Sequence, residues 1–288
     1  MPGQNVTAAC ADGVHRYEFN SVQEAVLDAL DDYAQNDTNR EKIRMRMEYA
    51  LSGRDSWANH FTRSRFLKEI GNPRQELLDA VDLMRKQLID DIAAPSCPRR
   101  RIRRGQEWGE ELDVDRWLVR DFNPWDRNVR EQQVNKTVTI GCNLTVNAYV
   151  KPHQLLYRGA AALALADILT SRGYSVAIHL FNSSEHVTPC CDRSVFRYVV
   201  KDHSMPLDVS AVTFAMCEIA FFRVIAVLGA CRHLTGIVND GLGRAMKLPA
   251  ADAKGLDFLI DADVLGQDAA IQWLKGCLAT QESEVCHV

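Results

Sequence analysis

Apolar positions recur on two different rhythms along this chain. Over residues 1–95 they fall mostly at helical spacing, with His15–Phe19 as a candidate short strand. Ser21 suits the cap of a helix over Val22–Tyr33, with Glu24 at the capping-box position. The helical rhythm continues over Arg40–Leu51 and Arg65–Ile70, breaks at Asn72 and Pro73, and resumes over Glu76–Ile92. There Leu77, Val81, Met84 and Leu88 form a single stripe, which predicts a helix with one buried face.

From residue 132 the rhythm changes to short β-branched runs between longer alanine- and leucine-rich stretches. Val134–Ile140 predicts a strand, Gly141–Asn147 a loop, and His153–Ser171 a helix ended by Gly173. Ser175–Phe181 and Ser194–Val200 predict further strands. Helices follow within 208–231, then a strand at Asp257–Asp261 and a last helix at Asp268–Thr280. Strands separated by helices of this length imply right-handed crossovers. The expected fold is therefore α/β: a doubly wound, mostly parallel, Rossmann-type sheet with helices on both faces, Val134–Ile140 central in it. Residues 1–95 read as a helical N-terminal region, 96–131 as a charged connector and 132–288 as the α/β domain.

The run 211–231 is long enough to cross a bilayer. Glu218 and Arg223 fall near its middle, where each is costly in hydrocarbon, and Asp208 and Ser210 suit a helix start in water. Buried helices are expected there, and no membrane partner. Composition agrees, since 288 residues with 47% apolar and 25% charged residues can build a core without disulfides or metals. A formal net charge of −4 argues against a surface coated overall with nucleic-acid-binding charge. The nine cysteines are irregularly spaced with no CxxC pair, and the opening MPGQNVTAACADG has no basic-then-apolar signature. Reduced thiols in a cytoplasm are the expectation.

Three places carry candidate chemistry. In a parallel sheet, ligands gather at the carboxyl ends of the strands. Asn143 and Thr145 after the first strand, with Asp261 and Asp263 after the last, supply the oxygens for a hard cation such as magnesium. The first loop supplies no carboxylate, so the expectation for Asp261 and Asp263 is helix capping and solvated loop ends, with the cation site as the alternative. The connector holds five arginines, Arg99, Arg100, Arg101, Arg103 and Arg104, without an acid among them. Guanidinium groups suit phosphate, yet Glu107, Glu110, Glu111, Asp113 and Asp115 follow at once. The expectation is a solvated linker whose arginines pair with those acids, with nucleic-acid contact as the alternative. Finally, His179, His186, Cys190 and Cys191 are zinc-type ligands within a short span, although vicinal cysteines fit one tetrahedron poorly and a surface hairpin with Pro189 at its turn is the expectation. Cys142 is the candidate nucleophile, with His153 or His203 as its base. Gly241–Gly243 lacks the context of a dinucleotide loop, and Trp57, Trp125 and Trp273 read as core or interface residues.

The segments KTVTIGCN, LTVNAYVKP, HQLLYRGAAALALADILTSRGY and SVAIHLF resemble the first unit of a von Willebrand factor A-type domain. More closely, the chain resembles a phage- and bacterium-encoded group of such proteins, whose linker also resembles GEELDVDRWLVRD. The resemblance implies a metal site of the form Asp-x-Ser-x-Ser, from which this chain departs at Gly141, Asn143 and Thr145. It thus implies a degenerate site with no cofactor, magnesium being the one candidate. By analogy with CobT-type chelatase subunits it implies a protein partner, a MoxR-type ATPase. The leading expectation is a non-enzymatic interaction or adaptor protein. The alternatives are a nucleic-acid-associated protein and a hydrolase or metal-dependent enzyme at the strand-edge loops.

Overall fold

The computed structural model describes residues 7–30, 38–89, 100–106, 111–119, 123–130, 136–185, 193–230, 233–234 and 244–285. The first two strands, β1 (Thr7–Ala11) and β2 (Val14–Phe19), form a hairpin closed by Asp12 and Gly13 at φ 55° and 70°. Positive φ at both turn positions matches the twist of paired strands, and an Asp-Gly pair adopts it readily. Next comes α1 (Val22–Leu30). Ser21 Oγ accepts the Glu24 backbone N–H at 3.0 Å, and Glu24 reaches back to the N–H of Asn20 at 2.8 Å. Then follow α2 (Thr38–Ala50), α3 (Arg63–Gly71) and α4 (Gln75–Ile89), with the break at Asn72 and Pro73 as expected.

The connector carries regular secondary structure. It holds β3 (Arg100–Gln106), β4 (Glu111–Leu112), the short helix α5 (Val114–Leu118) and β5 (Trp125–Arg130). The strands form a separate antiparallel sheet in the order β3-β5-β4. A run of charged residues hid β3 from hydropathy, because charge says nothing against pairing on an edge strand.

The remaining strands are β6 (Thr137–Asn143), β7 (Ser175–Glu185), β8 (Arg193–Lys201) and β9 (Phe258–Ile260). They join the N-terminal hairpin in one six-stranded sheet, ordered β1-β2-β8-β7-β6-β9. Strand β6 is interior and parallel to both neighbours, as expected for a central strand. The β2–β8 pairing is also parallel, whereas β1–β2 and β7–β8 are antiparallel, so the sheet is mixed and mostly parallel.

The sheet is not doubly wound among the described residues. Val138, Ile140, Cys142, Val176, Ile178, Leu180, Phe196 and Tyr198 share one core with all the long helices that flank the six-stranded sheet. The opposite face carries only a small cluster of Phe181, Val195 and Leu248 with Val14, Ala253, Leu256 and Leu259. Among the described residues, the single turn α8 (Ala250–Ala253) is the one helix on that side. The reason is topological, since antiparallel neighbours such as β7 and β8 need no crossover helix. Nor is the N-terminal region separate: β2 lies in the main sheet, and the helices of residues 22–89 enter the same core.

The central helix α6 (Pro152–Ser171) is buried along most of its length, and Gly173 at φ 88° ends it. It crosses α7 (Val209–Cys217) at Gly159, where a Cβ would lie 2.0 Å from the Met216 carbonyl oxygen. After α7 the chain bends by 70° into a π-helix, Phe221–Gly229. Asp208 caps α7 through the Ala211 N–H, as its position suggested. No single helix among the described residues is long and apolar enough to cross a membrane.

The bend is held by ion pairs. Buried Glu218 accepts from Arg74, which bonds Glu69 at 3.0 Å, and Glu69 accepts from Arg65 at 2.7 Å. Buried Arg223 donates to the carbonyls of Trp57, Ala148 and Val150. These groups stitch the N-terminal helices to the sheet domain. The last helix, α9 (Gln267–Val285), packs beside α6 and anchors Trp273 Nε1 on the Leu259 carbonyl at 2.9 Å.

Gly159→Ala separates packing from helix propensity. Propensity alone favours alanine by about 1 kcal/mol, whereas the contact with Met216 forces the α6–α7 crossing apart. Urea unfolding is expected to show a net loss of about 3 kcal/mol. A gain in stability would show that the crossing does not depend on the glycine.

Candidate functional site

The strand-end site is assembled much as the residues suggested, and it is closed. Asn143 at the end of β6 donates from Nδ2 to Asp261 Oδ1 at 2.6 Å and to the Met246 carbonyl at 2.7 Å. Its Oδ1 accepts the Thr145 backbone N–H at 3.0 Å, which fixes the amide orientation. Thr145 Oγ1 lies 2.8 Å from Asn143 Oδ1 and 2.7 Å from the Met246 carbonyl, with one proton to serve them. It also accepts the Met246 N–H at 3.2 Å. Asp261 Oδ1 further accepts the Ala262 N–H at 2.7 Å.

Three of the four expected ligands therefore meet. The fourth, Asp263, stands apart on the surface, paired with Lys247 at 2.9 Å. That hydrogen bond holds its carboxyl below the usual carboxylate range. Asn143 turns its amide N–H groups toward Asp261, so a cation between them would face donors rather than oxygens. A Cβ at Gly141 would lie 2.5 Å from Leu256 Cδ1, so this position has no room for a longer side chain as packed.

Hydropathy missed the residue that organises this end of the sheet. Arg158 on α6 is 0% exposed and donates to four main-chain carbonyls. Nη1 reaches Asn143 at 2.7 Å and Thr145 at 3.0 Å, Nη2 reaches Ala262 at 2.8 Å, and Nε reaches Val264 at 2.9 Å. Burial pulls its pKa down from the ordinary arginine value. The available signal was a lone charge in the otherwise apolar helical run Leu155–Ala166.

The catalytic candidates are kept apart. Cys142 is fully buried on the helix side of β6, and burial pushes its thiol up to about 12. A thiol of that kind carries almost no thiolate near neutrality. His153 is exposed, and His203 sits at the opposite end of the strands, bonded to the Ser175 carbonyl at 2.9 Å. Of the zinc candidates, His186, Cys190 and Cys191 lie outside the described residues, as does Gly241–Gly243. No group of three or more His, Cys, Asp or Glu suited to a metal occurs among the described residues. Trp57 lies under the Arg223 guanidinium at 5.6 Å, and Trp125 opens β5.

The open face of the sheet holds a cavity of about 660 Å³, walled on one side by Ala251–Leu256. Its charges are matched in sign. Arg16 grips Asp252 through two bonds of 2.6 and 3.1 Å, and Arg197 lies 3.5 Å from Glu18. Arg197 also reaches His179 Nε2 at 3.2 Å, while its buried Nε has no hydrogen-bond partner. Desolvation, followed by the Arg197 charge, lowers the His179 pKa from 6.5 to about 4. Alternating polar positions in β2 and β8 were the signal for this face, and helical coverage was wrongly expected to bury it.

Of the connector arginines, Arg99 lies outside the described residues, and Arg100, Arg101, Arg103 and Arg104 are positions of β3. Beside them α5 is exposed, with Trp117, Leu118 and Val119 at 58%, 66% and 78% accessibility. Residues 5–273 match a family model described as a domain of unknown function (DUF7192). No curated protein and no solved structure matches the chain.

Arg158→Met leaves several carbonyls and the ends of two strands without their common donor. A loss of about 3–5 kcal/mol in chemical unfolding is expected. Arg158→Lys should recover only part of it, because an ammonium lacks the planar fork. Full recovery by lysine would show that charge alone holds the loops.

His179 gives a pH dependence of defined sign. The folded state keeps the imidazole neutral down to about 4, while the unfolded chain takes up its proton near 6.5. Between those values the unfolded state binds more protons, so stability is full above about 6.5 and falls as the pH drops toward 4. Thermal unfolding of His179→Gln should be flatter than wild type across that window. An equally steep profile would place the titration elsewhere.

Proposed function

We propose that this chain, which belongs to the DUF7192 family, is a non-enzymatic interaction module whose partner is a protein. The observation that carries the reading is the apolar surface at the end of α5. Trp117, Leu118 and Val119 are consecutive and all more than half exposed. Tryptophan is prominent among interface anchors, and a contiguous exposed apolar patch marks a surface that associates.

Two features of the α/β domain support the non-enzymatic half. At the strand ends, Asn143, Thr145 and Asp261 spend their hydrogen bonds on one another and on the main chain. Cys142, the candidate nucleophile near that edge, is a buried thiol whose pKa burial raises to about 12. On this reading the domain is von Willebrand A-like with a degenerate metal site, kept as a rigid support. The β6–α6–β7 crossover with parallel strands supports that assignment. The partner to test first is the MoxR-type ATPase that the resemblance implies, in a phage or bacterial cytoplasm.

Calorimetric titration of the intact protein with such an ATPase tests the proposal. Wild type is expected to bind, and the Trp117→Ala/Leu118→Ser double variant to bind at least tenfold more weakly, as loss of a tryptophan anchor does. Both residues are exposed, so the melting temperature should stay close to that of wild type. Equal binding by the variant would remove α5 from the interface. No binding by wild type would exclude this class of partner.

A further inference from the structure

Two arginines on neighbouring strands of the six-stranded sheet line the same cavity, and they are served unequally. Arg16 of β2 and Arg197 of β8 both face the space of about 660 Å³ on the open side. Arg16 holds the Asp252 carboxylate in a side-on fork, through Nε at 2.6 Å and Nη2 at 3.1 Å. Arg197 has no such fork. Its Nε is unbonded among the described residues, and the carboxylate of Glu18 lies 3.5 Å from Nη1. Its Nη2 meets His179 Nε2 at 3.2 Å. A guanidinium only donates, so Nε2 accepts, and the proton of the neutral ring sits on Nδ1. One end of the cavity thus offers a cation and an N–H donor. Elsewhere in the lining the polar groups are engaged: His203 Nδ1 donates to the Ser175 carbonyl at 2.9 Å, its Nε2 lies 3.4 Å from the Thr139 hydroxyl, and Asp202 accepts the His203 N–H. Beside Arg197 the floor is apolar. Phe181 stands opposite it in the β7–β8 register and Val195 two residues along β8, so these side chains share a face. With Leu256 they belong to the small apolar cluster of that face.

We propose that this cavity binds a small organic carboxylate, its head on Arg197 and its apolar body over Phe181, Val195 and Leu256. The bound head gives Arg197 the two-point pairing that Asp252 gives Arg16, the strongest form of arginine–carboxylate contact. The Arg197 side chain is 39% exposed, so its fork can turn toward a ligand. The volume falls within the range of small-molecule sites, about 300–1,000 Å³, which typically pair apolar walls with a few convergent polar groups. Charge selects the head. Glu18, Asp202 and Asp252 line the same cavity, so a dianion meets repulsion that a single charge matched to Arg197 does not. An ammonium head would face the guanidinium instead. Since α5 does not line this cavity, the carboxylate site and the protein partner can fail separately.

Calorimetric titration of the full chain with octanoate, octyl phosphate, octylamine and octanol tests the proposal. Octanoate is expected to bind saturably at one site per chain, and roughly tenfold more tightly than each of the other three. Selective isotope labelling of histidine reports the place, because the ring signals of His179 should shift as octanoate is added. Arg197→Gln should weaken octanoate binding roughly tenfold or more. Arg197→Lys, which keeps the charge and loses the fork, should weaken it by less. Ala177→Leu leaves every charge in place but narrows the cavity, and it should weaken binding as well. The wild-type comparison decides the matter even where a variant does not fold. No saturable octanoate binding, equal or tighter binding of any of the other three compounds, or unmoved His179 signals would each overturn the proposal. Unchanged affinity in a folded Arg197→Gln variant would overturn it too.

Discussion

A guanidinium without access to water, served by four main-chain carbonyls, fixes where β6 and β9 end and how the loops beyond them run. Strand ends at the carboxyl edge of a parallel sheet leave carbonyls unpaired, and in most such folds water or a ligand completes them. Here α6 brings a five-donor fork to that place from within the core. Burying an unpaired guanidinium would be prohibitive, so every carbonyl it meets must hold its position. The order of the Asn143–Thr145 loop and of Asp261–Val264 follows from that one requirement. The hydrogen bonds among Asn143, Thr145, Asp261 and Met246 then lock the outer side of the same loops.

The second constraint is the one-sided sheet. All long helices flanking the six-stranded sheet share the core on one face, so α6 is covered on nearly every side and can tolerate a buried charge only where carbonyls converge. The N-terminal helices complete that cover, tied down by the Arg65–Glu69–Arg74–Glu218 chain and by Arg223. Buried ion pairs are poor sources of net stability, but they fail abruptly when one member is lost. They specify how the N-terminal third seats on the sheet domain more than how strongly. Among the described residues nothing large covers the other face, and charges there answer one another as Arg16 answers Asp252.

Much of this order was legible in the residues, and the misses have physical causes. Periodicity located α1, α3, α4, α6 and α9 to within a few residues, because each carries an apolar stripe or a long apolar run. The strand-end meeting of Asn143, Thr145 and Asp261 followed from parallel topology. Its closure did not, because closure depends on Arg158, and nothing local distinguishes a buried arginine from one that reaches the surface. Strand β1 was missed although Asp12 and Gly13 signalled a hairpin, since Thr7–Ala11 is mostly alanine, a residue depleted in strands. Helices on both faces were expected from the alternation of strands and helices over the domain as a whole, although the β7–β8 connection holds no helix-length apolar stretch. In β3 the charges masked a strand, since main-chain pairing does not depend on apolar side chains.

The contrast between the two sheets bears on where this chain interacts. In the six-stranded sheet and its helices, nearly every buried charge has found a partner within the chain: Arg158 in carbonyls, Glu218 in Arg74, Lys201 in the Val176 and Asp202 carbonyls. A structure that satisfies itself so fully has little left to offer a ligand at those positions. The three-stranded sheet is built on the opposite terms. Its short helix leaves Trp117, Leu118 and Val119 exposed. Exposed aromatic and aliphatic surface raises the free energy of the isolated protein, and contact with another surface relieves it. In the core the residues settle their interactions internally; at the end of α5 an apolar surface is left for another surface to cover.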